Sequence, residues 1–368
     1  MSLAPARCSN KMWSRVFLLA LILQAAVALK KDCPQPCIPI DNCPDLIKLI
    51  RTNIRAVQAE TCDFLDDDTA LVCCPASTRE PSVSSSSTTS KPPVSNPLLP
   101  KSCGPFSLIQ ILIEIRIHGG NETRIGTYPW MAALGFKNTL TKKPDFLCGG
   151  SVINERYILT AAHCLKRELE VVRLGEWDMS TEIDCETRLK GNKFCASEPA
   201  QDFQYEEIIE HPEFGKRGAV SDDIALIRLT RPITFSQWIQ PVCLPDRDMD
   251  VPAALGDRWA TITGWGFTEK RRLSDRLLQV SLPLVDFIPC NKTYQGNLVG
   301  KQLCFGGTEG QDSCGGDSGG PLVFNAPPYT QIGIVSFGLL SGCGQKDVPG
   351  VYTSVSSYRD WIDENMRP

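Results

Sequence analysis

One histidine and one serine occupy sequence contexts that suit nucleophilic catalysis. Of the three histidines in the chain, His163 follows an apolar run and immediately precedes Cys164, so a strand end and a disulfide could hold its imidazole. Ser318 lies in the glycine-rich stretch 315–320, whose backbone can turn sharply and present N–H groups. A serine hydroxyl becomes a strong nucleophile when a neighbouring imidazole takes its proton. A structural histidine is the alternative for His163 taken alone, and the matched serine argues against it.

The third group that this chemistry needs is a carboxylate to orient the imidazole. Asp222 and Asp223 stand directly before the apolar run 224–227, and we predict Asp223 because it adjoins that run. A turn or N-cap aspartate would look the same in isolation. The Gly316 and Ser318 amides are the expected donors to a tetrahedral oxyanion, whereas a phosphate loop would carry Gly-Lys-Ser/Thr. Together these residues predict a serine hydrolase that works by acyl transfer.

The elements that would position these residues are short strands. From residue 117 onwards, apolar runs are broken roughly every ten residues by Gly, Pro, Asn or Asp, which is typical of an all-β fold. Strands do not alternate with long helices, so a parallel α/β sheet is not expected. The strand candidates are Ser151–Leu159, Ala225–Leu229, Ala260–Thr263 and Gln331–Phe337, and a terminal helix is expected over Tyr358–Met366.

The amino-terminal segment predicts secretion. Basic residues up to Arg15 precede an apolar run that ends in Ala26-Val27-Ala28, which is the layout of a cleavable signal peptide over residues 1–28. The run is shorter than the roughly 20 apolar residues that span a bilayer, so no membrane anchor is expected. Removal of the leader takes Cys8 with it and leaves sixteen of the seventeen cysteines, an even number that suits disulfides in an oxidising compartment.

The rest of the chain indicates two domains joined by a tether. Of its 368 residues, 42% are hydrophobic and 22% are charged, and the net charge of -4 gives no basic surface for nucleic acid. Six cysteines crowd residues 33–74, a segment too small to bury a core without crosslinks. A stretch rich in Ser, Thr and Pro follows and predicts a disordered linker within residues 75–116.

With the chemistry-bearing residues in the order His163, Asp223, Ser318, the region 117–368 resembles the chymotrypsin/trypsin family of serine proteases over its whole length. The resemblance implies an all-β protease domain of two six-stranded antiparallel β-barrels with a C-terminal helix. It implies an active site in the cleft between the barrels and acyl-enzyme hydrolysis of peptide bonds. No cofactor is required for such catalysis.

The resemblance also assigns a specificity pocket. Asp312, six residues before Ser318, falls where the family places the base of this pocket, and Ser313 lies beside it. Gly338 and Gly350 would be walls that leave room for a long side chain. A carboxylate at the base implies cleavage after arginine or lysine, because it pairs with a cation. An exposed loop aspartate is the alternative for Asp312.

The start of this region resembles the activation junction of the family. Cleavage after Arg116 would give Ile117 a new α-amino group, and the resemblance implies that this cation buries itself against Asp317. A buried carboxylate without a partner is costly, so the ion pair would stabilise the ordered pocket and oxyanion hole. The uncut chain is therefore expected to be nearly inactive. His118, where valine is commoner, and the apolar stretch 108–115 indicate a dedicated activating protease.

The cysteine-rich segment 33–74 resembles the small, disulfide-knotted clip domain of arthropod zymogens. Sequence alone leaves every pairing of its cysteines open, and an unrelated knotted domain is the alternative. The resemblance implies Cys33–Cys73, Cys37–Cys62 and Cys43–Cys74. For the other ten cysteines it implies Cys103–Cys243, which would join the two chains after activation, and also Cys148–Cys164, Cys185–Cys195, Cys290–Cys304 and Cys314–Cys343.

Two further kinds of site are expected in the protease region. Glu176 lies where some relatives bind structural calcium through oxygen ligands, with Glu198 as a second ligand across the Cys185–Cys195 insertion. A solvated acidic loop is the alternative to this metal site. Asn121 and Asn291 each begin an Asn-x-Thr sequence, which is the acceptor for N-glycosylation in a secreted protein.

The resemblance implies a secreted clip-domain serine protease zymogen of an extracellular cascade in arthropod haemolymph. Its expected partners are an upstream activating protease, a serpin inhibitor, and substrates such as prophenoloxidase, other zymogens or a cytokine precursor. The sequence does not separate melanisation from processing of a Toll ligand or from clotting. A non-catalytic clip-domain homologue that acts as a cofactor is the second hypothesis, but such homologues typically lose the serine that Ser318 supplies here. A digestive trypsin is the third, and it would need no clip module.

Overall fold

The chain divides by its internal contacts into two compact units, Met1–Thr88 and Thr89–Pro368. The structure is a computed structural model. The signal peptide predicted over residues 1–28, Cys33, most of the linker, and the predicted site residues Arg116, Ile117, Asp312, Ser313, Cys314 and Cys343 lie outside the described residues. The residues that the structure describes are 37–39, 43, 46, 61–64, 70–74, 96–104, 121–188, 191–218, 220–247, 249–256, 259–268, 272–309, 315–324, 328–338 and 344–368.

The described part of the first unit is a small antiparallel sheet fastened by disulfides. Its strands are β1 (Ile38–Pro39), β2 (Thr61–Phe64) and β3 (Ala70–Val72), in the spatial order β1-β3-β2. Cys37 is bonded to Cys62 and Cys43 to Cys74, which are two of the pairings that the clip resemblance implies. Cys73 is also in a disulfide.

The first sheet of the second unit has seven antiparallel strands in the spatial order β11-β8-β5-β6-β7-β13-β12. Only Gln204 separates β11 from β12, so the two edges of the sheet are consecutive pieces of chain, and the sheet curls towards closure. In chain order, the strands between residues 121 and 229, which include β4 of the second sheet and the separate hairpin of β9 and β10, are β4 (Asn121–Glu122), β5 (Met131–Phe136), β6 (Asp145–Val152), β7 (Tyr157–Thr160), β8 (Leu169–Leu174), β9 (Cys185–Thr187), β10 (Lys193–Cys195), β11 (Gln201–Phe203), β12 (Tyr205–Glu210) and β13 (Ala225–Leu229).

The second sheet has eight antiparallel strands in the spatial order β16-β17-β20-β19-β18-β14-β15-β4. Pro283 alone separates β15 from β16, and because proline cannot donate to a ladder it splits one bent strand into two. The strands and helices of this part of the chain are, in order, α1 (Val251–Leu255), β14 (Ala260–Gly264), β15 (Leu278–Leu282), β16 (Leu284–Val285), α2 (Phe287–Thr293), β17 (Gln302–Gly306), β18 (Pro321–Phe324), β19 (Thr330–Phe337), β20 (Pro349–Ser354) and α3 (Arg359–Asn365).

The two curled sheets confirm the all-β, chymotrypsin-like fold with a terminal helix, and one continuous apolar core joins them. That core runs from Trp130 and Leu134 of the first sheet to Ile334 of the second sheet and Ile362 of α3, all of them fully buried. Burial of large apolar side chains is the main force that holds such layers together. The loops between the sheets are therefore fixed from both sides.

One strand prediction is wrong. The segment Ser151–Leu159 is the end of β6, a turn and most of β7, and not a single strand. The Asn154 side chain makes the turn, because its Oδ1 accepts from the Arg156 and Tyr157 amides at 2.8 and 2.7 Å. The other strand candidates agree with β13, β14 and β19 to within a residue at each end.

No helix among the described residues is long and apolar enough to cross a membrane.

The second unit contains further disulfides. Cys185–Cys195 closes the hairpin of β9 and β10. Each of the bridges is a pairing that the family resemblance implies: Cys103–Cys243, Cys148–Cys164, Cys185–Cys195 and Cys290–Cys304.

Candidate active site

His163 and Asp223 meet because the strands beside them are paired. His163 lies in a short 3-10 turn, Ala162–Lys166, directly after β7, and Asp223 lies two residues before β13. In the antiparallel pair β7 and β13, Thr160 is opposite Ala225. The chain that leaves β7 and the chain that enters β13 are consequently at the same end of this pair of strands.

The Asp223 carboxylate binds His163 through two hydrogen bonds. Oδ2 lies 2.7 Å from the imidazole Nδ1, and Oδ1 accepts from the His163 backbone N–H at 2.9 Å. Asp223 is fully buried, whereas the His163 side chain is 30% exposed. Because a carboxylate only accepts, this contact assigns the proton to Nδ1, which leaves the Nε2 lone pair available to accept a proton.

The second sheet completes the surroundings of Asp223. The Ser336 hydroxyl of β19 donates to Asp223 Oδ2 at 2.5 Å, and the Thr353 hydroxyl of β20 donates to the Asp223 carbonyl at 2.8 Å. Both residues are buried. Sequence reasoning missed them because each is an ordinary hydroxyl within a strand. The register of β19 and β20 decides what these hydroxyls contact.

Ser318 is held beside His163 by its own backbone. The Ser318 carbonyl accepts from the Gly149 N–H at 2.8 Å, and Cys164, the neighbour of His163, has its Sγ 3.5 Å from the same oxygen. Gly319 follows with φ 77°, and a Cβ there would lie 2.3 Å from Thr160 Oγ1 and 2.6 Å from the Gly149 carbonyl oxygen. Only glycine fits this close approach of the loop to the first sheet.

Two N–H groups and one hydroxyl of this loop have no hydrogen-bond partner among the described residues. Among the described residues, no group accepts from the Gly316 or Ser318 N–H, and no hydrogen bond joins Ser318 Oγ to His163 Nε2. Gly316 has φ 100°, which glycine adopts readily. Catalytic hydrogen bonds are often long in a site without substrate and shorten on binding. The arrangement has the parts for acyl transfer, with the nucleophile not yet engaged by its base.

Comparison with known proteins identifies the family to which this region is similar. The Trypsin family model matches residues 117–362. The chain belongs to the trypsin family. Proteases of this family need no cofactor for catalysis.

Two of the relatives of this trypsin-family chain that follow align over nine-tenths or more of it, well beyond the protease region. Phenoloxidase-activating factor 1 of Holotrichia diomphalia is 39% identical over 351 residues, which cover 90% of this chain and 91% of that protein. CLIP domain-containing serine protease B10 of Anopheles gambiae is 37% identical over 372 residues, or 96% and 98% of the two chains. Melanization protease 1 of Drosophila melanogaster is 42% identical over 266 residues, or 68% and 66%. The resemblance to clip-domain serine proteases is therefore confirmed.

The predicted activation partner, Asp317, faces the start of the loop after β14. Its Oδ1 accepts from the Gly266 N–H at 2.9 Å. A Cβ on Gly264 would lie 2.2 Å from Oδ1, and one on Gly266 would lie 2.5 Å from the same oxygen, so only glycine backbone fits beside the carboxylate. Asp317 is thus packed against the backbone of a trypsin-family loop and is not directed into open solvent.

Two predicted pocket walls are in the described part of the chain. Gly338 directly follows β19, and nothing among the described residues lies within 4 Å of a Cβ placed on it, so there is open space beside it. Gly350 lies buried in β20, opposite Phe305 of β17. A cavity wall without side chains suits a long substrate side chain. The roles of Gly338, Gly350 and Asp312 in specificity stay predictions.

The acidic loop around Glu176 is more buried than a solvated loop would be. Glu176 and Asp184 both accept from the Trp177 N–H, at 2.9 and 2.8 Å, and both are more than nine-tenths buried. Burial, with the nearby charge of Asp184, raises the pKa of Glu176 to about 7. Arg173 Nη1 also lies 3.5 Å from Glu176 Oε2. Carboxylate oxygens are ligands that calcium prefers, and calcium binding at this pair stays a prediction. Glu198 is exposed, and no hydrogen bond or ion pair joins it to this group among the described residues.

The two sequence motifs for glycosylation have different surroundings. Asn121 is half-buried in β4, opposite Gln279 of β15. Asn291 lies in α2, and its Oδ1 accepts from the Leu298 N–H at 3.0 Å. Attachment of a glycan at either position stays a prediction.

Proposed function

We propose that this chain is the secreted zymogen of a serine endopeptidase that is activated by cleavage after Arg116 and then cuts proteins after arginine or lysine. The observation that carries the proposal is the contact between His163 and the buried Asp223, beside a loop that presents Ser318 and two N–H groups from which no described residue accepts. Buried carboxylates that hold an imidazole are costly to maintain without a function.

The proposed reaction uses these groups in sequence. His163 Nε2 takes the proton of Ser318 Oγ as that oxygen attacks the carbonyl carbon of the scissile bond. The Gly316 and Ser318 N–H groups stabilise the oxyanion, and Asp223 stabilises the imidazolium. The imidazolium then protonates the leaving amine, and water releases the acyl group by the same steps.

Specificity and activation are each assigned to an aspartate close to Ser318 in the sequence, together with residues from other segments. Asp312, with Ser313 beside it and Gly338 and Gly350 as walls, would bind the cationic side chain of the substrate. The new amino group of Ile117 would pair with Asp317, which already lies against the Gly266 amide. That ion pair would stabilise the loop in its active form.

The proposed organisation is a signal peptide over residues 1–28, a clip domain over 33–74, a linker and activation segment over 75–116, and a protease domain over 117–368. We place the protein in haemolymph, within a cascade. The names of its relatives, phenoloxidase-activating factor and melanization protease, support prophenoloxidase or another zymogen as substrate. An upstream protease and a serpin complete the proposed partners.

The test needs controlled activation. We suggest the full chain with the residues before Ile117 replaced by the site of a restriction protease, so that cleavage leaves Ile117 as the new N-terminus. We expect hydrolysis of an arginyl ester and labelling by a fluorophosphonate only after cleavage. The Ser318→Ala variant is the matched control and should show neither. Correct cleavage without turnover or labelling of the unaltered chain would instead support the non-catalytic homologue.

The substrate requires a second experiment. The activated enzyme and its Ser318→Ala variant are incubated with haemolymph proteins, and newly exposed N-termini are sequenced. Sites preceded by arginine or lysine, present only with the active enzyme, would identify substrates. Prophenoloxidase cut at such a site would support the melanisation branch, and cleavage of a different zymogen or a cytokine precursor would replace it.

A further inference from the structure

Asp222, the residue before the proposed catalytic aspartate, has an unusual backbone and a buried charge. Its φ is 56°, a left-handed conformation that non-glycine residues rarely adopt, and its carbonyl accepts from the Ile224 N–H at 3.0 Å. The residue is 1% exposed. This tight turn sets the direction in which Asp223 leaves the chain, so the forces that hold Asp222 also fix Asp223.

Two side chains from distant segments hold the Asp222 carboxylate. The Tyr358 hydroxyl, at the start of α3, donates to Oδ1 at 2.9 Å, and Arg217 Nε donates to Oδ2 at 3.1 Å. A second Arg217 nitrogen pairs with Oδ1. Burial alone would raise the pKa of Asp222, but these hydrogen bonds outweigh burial and lower the pKa, so the group is ionised. A buried anion with this geometry is bound to both donors and cannot rotate without losing them.

The Tyr358 ring is itself enclosed. His211 meets its edge at a centroid distance of 5.2 Å, and the Lys301 ammonium lies 4.6 Å from its centroid. Arg217 is fixed at its backbone as well, because its N–H donates to Ser221 Oγ at 3.1 Å. The loop from His211 to Ser221 and the terminal helix thus converge on one carboxylate that adjoins Asp223.

We infer that Arg217 and Tyr358 are positioning residues that act through Asp222 to direct Asp223 towards His163. The inference rests on the proposed proteolytic function, since it concerns the same triad. Neither residue touches a reacting atom, so both act through the strained turn. The two neighbouring carboxylates have separate partners: Asp223 binds His163 and Ser336, while Arg217 neutralises Asp222.

The experiment compares Arg217→Gln, Arg217→Lys and Tyr358→Phe with the unaltered enzyme, each in the full chain after cleavage at Arg116. Arg247→Gln is the matched control, because Arg247 pairs with Asp360 and Asp363 of α3 but does not contact Asp222. Active sites are counted by fluorophosphonate labelling, so that a misfolded fraction does not enter kcat. The downfield proton resonance of the His163–Asp223 hydrogen bond is recorded on every variant, before and after cleavage.

We expect Arg217→Gln and Tyr358→Phe to lower kcat per active site about 5- to 50-fold, with KM for a small arginyl ester within about twofold. The downfield resonance should shift or broaden in both. Arg217→Lys should recover part of the loss, and Arg247→Gln should match the unaltered enzyme. An unchanged kcat per active site and an unchanged resonance in Arg217→Gln and Tyr358→Phe would overturn the inference, even where their melting temperatures fall. If the unaltered enzyme is inactive, the proposed function fails, and the resonance alone then decides the positioning role.

Discussion

Ser336 Oγ and His163 Nδ1 share one carboxylate oxygen, Asp223 Oδ2, at 2.5 and 2.7 Å. The hydroxyl comes from the second sheet and the imidazole from the first, so the shared oxygen ties the two sheets together at the proposed site. A hydrogen bond to a charged group contributes about 1.5–3 kcal/mol. We therefore expect Ser336→Ala to lower kcat/KM for an arginyl ester about 10- to 100-fold.

The control for this prediction is Ser281→Ala. Ser281 also offers a hydroxyl within a strand of the second sheet, but it pairs with Thr261 Oγ1 at 2.8 Å. Its loss should leave kcat/KM within about threefold of the unaltered enzyme. Equal activity of Ser336→Ala and Ser281→Ala, at matched active-site concentration, would show that Asp223 does not need the Ser336 hydroxyl.

Residues that lie in recognisable motifs could be predicted from the sequence. Residues whose contacts depend on how the strands pair could not. His163 and Asp223 could be predicted because each adjoins an apolar run that becomes β7 or β13. Ser336 could not, because its contact with Asp223 depends on how β19 pairs and on the approach of one sheet to the other. The positive φ of Asp222 is equally hidden, since nothing in the sequence around this aspartate indicates a left-handed backbone conformation.

The turn between β6 and β7 was also missed from the sequence. Apolar residues stand on both sides of the tip between β6 and β7, and the predicted strand joined them across the polar residues 154–156. Asn154, whose side chain closes that turn, was the available signal. The disulfides fared better because the family resemblance, and not spacing, supplied their partners.

A substitution in the specificity pocket tests the assignment of Asp312. Loss of a buried partner for a cationic side chain costs about 3–5 kcal/mol, so Asp312→Ser should lower kcat/KM for arginyl esters about 10²- to 10⁴-fold. An aromatic ester serves as the internal control, because its turnover does not need the carboxylate. Retained arginyl preference in Asp312→Ser would place the base of the pocket elsewhere.

The disulfide Cys103–Cys243 should hold the two chains together after activation. Cys103 precedes Arg116 and Cys243 follows it, so cleavage there cuts the backbone between bonded cysteines. We expect one band of unchanged mass on a non-reducing gel and two bands after reduction. The double variant Cys103→Ser/Cys243→Ser should give two bands in both gels. The variant Cys185→Ser/Cys195→Ser, which lacks a bridge within one chain, should behave as the unaltered protein. Two bands from the unaltered, non-reduced protein would contradict the link.

Glu176 should make the stability of the metal-free protein fall as pH rises. Its pKa is about 7 in the folded chain, against an ordinary 4.5, because of burial and the charge of Asp184. The folded state consequently binds more protons than the unfolded state between these values, and stability decreases as pH rises through that window. We expect the melting temperature in a chelator to fall between pH 5 and 8, and Glu176→Gln to flatten this slope. An equal slope in Glu176→Gln would assign it to another group.

Calcium should reverse the same effect, because it binds the ionised carboxylates that are costly to bury alone. We expect calcium to raise the melting temperature more at pH 8 than at pH 5.5, where protons compete for Glu176. Asp184→Asn and Glu176→Gln should both abolish the rise, since these two carboxylates crowd the Trp177 amide. Glu198→Gln is the informative comparison: Glu198 is exposed and has no hydrogen bond or ion pair with these two carboxylates among the described residues, so its loss should leave the calcium effect intact. A rise that disappears in Glu198→Gln but persists in Asp184→Asn would contradict this expectation and support Glu198, in place of Asp184, as the second ligand.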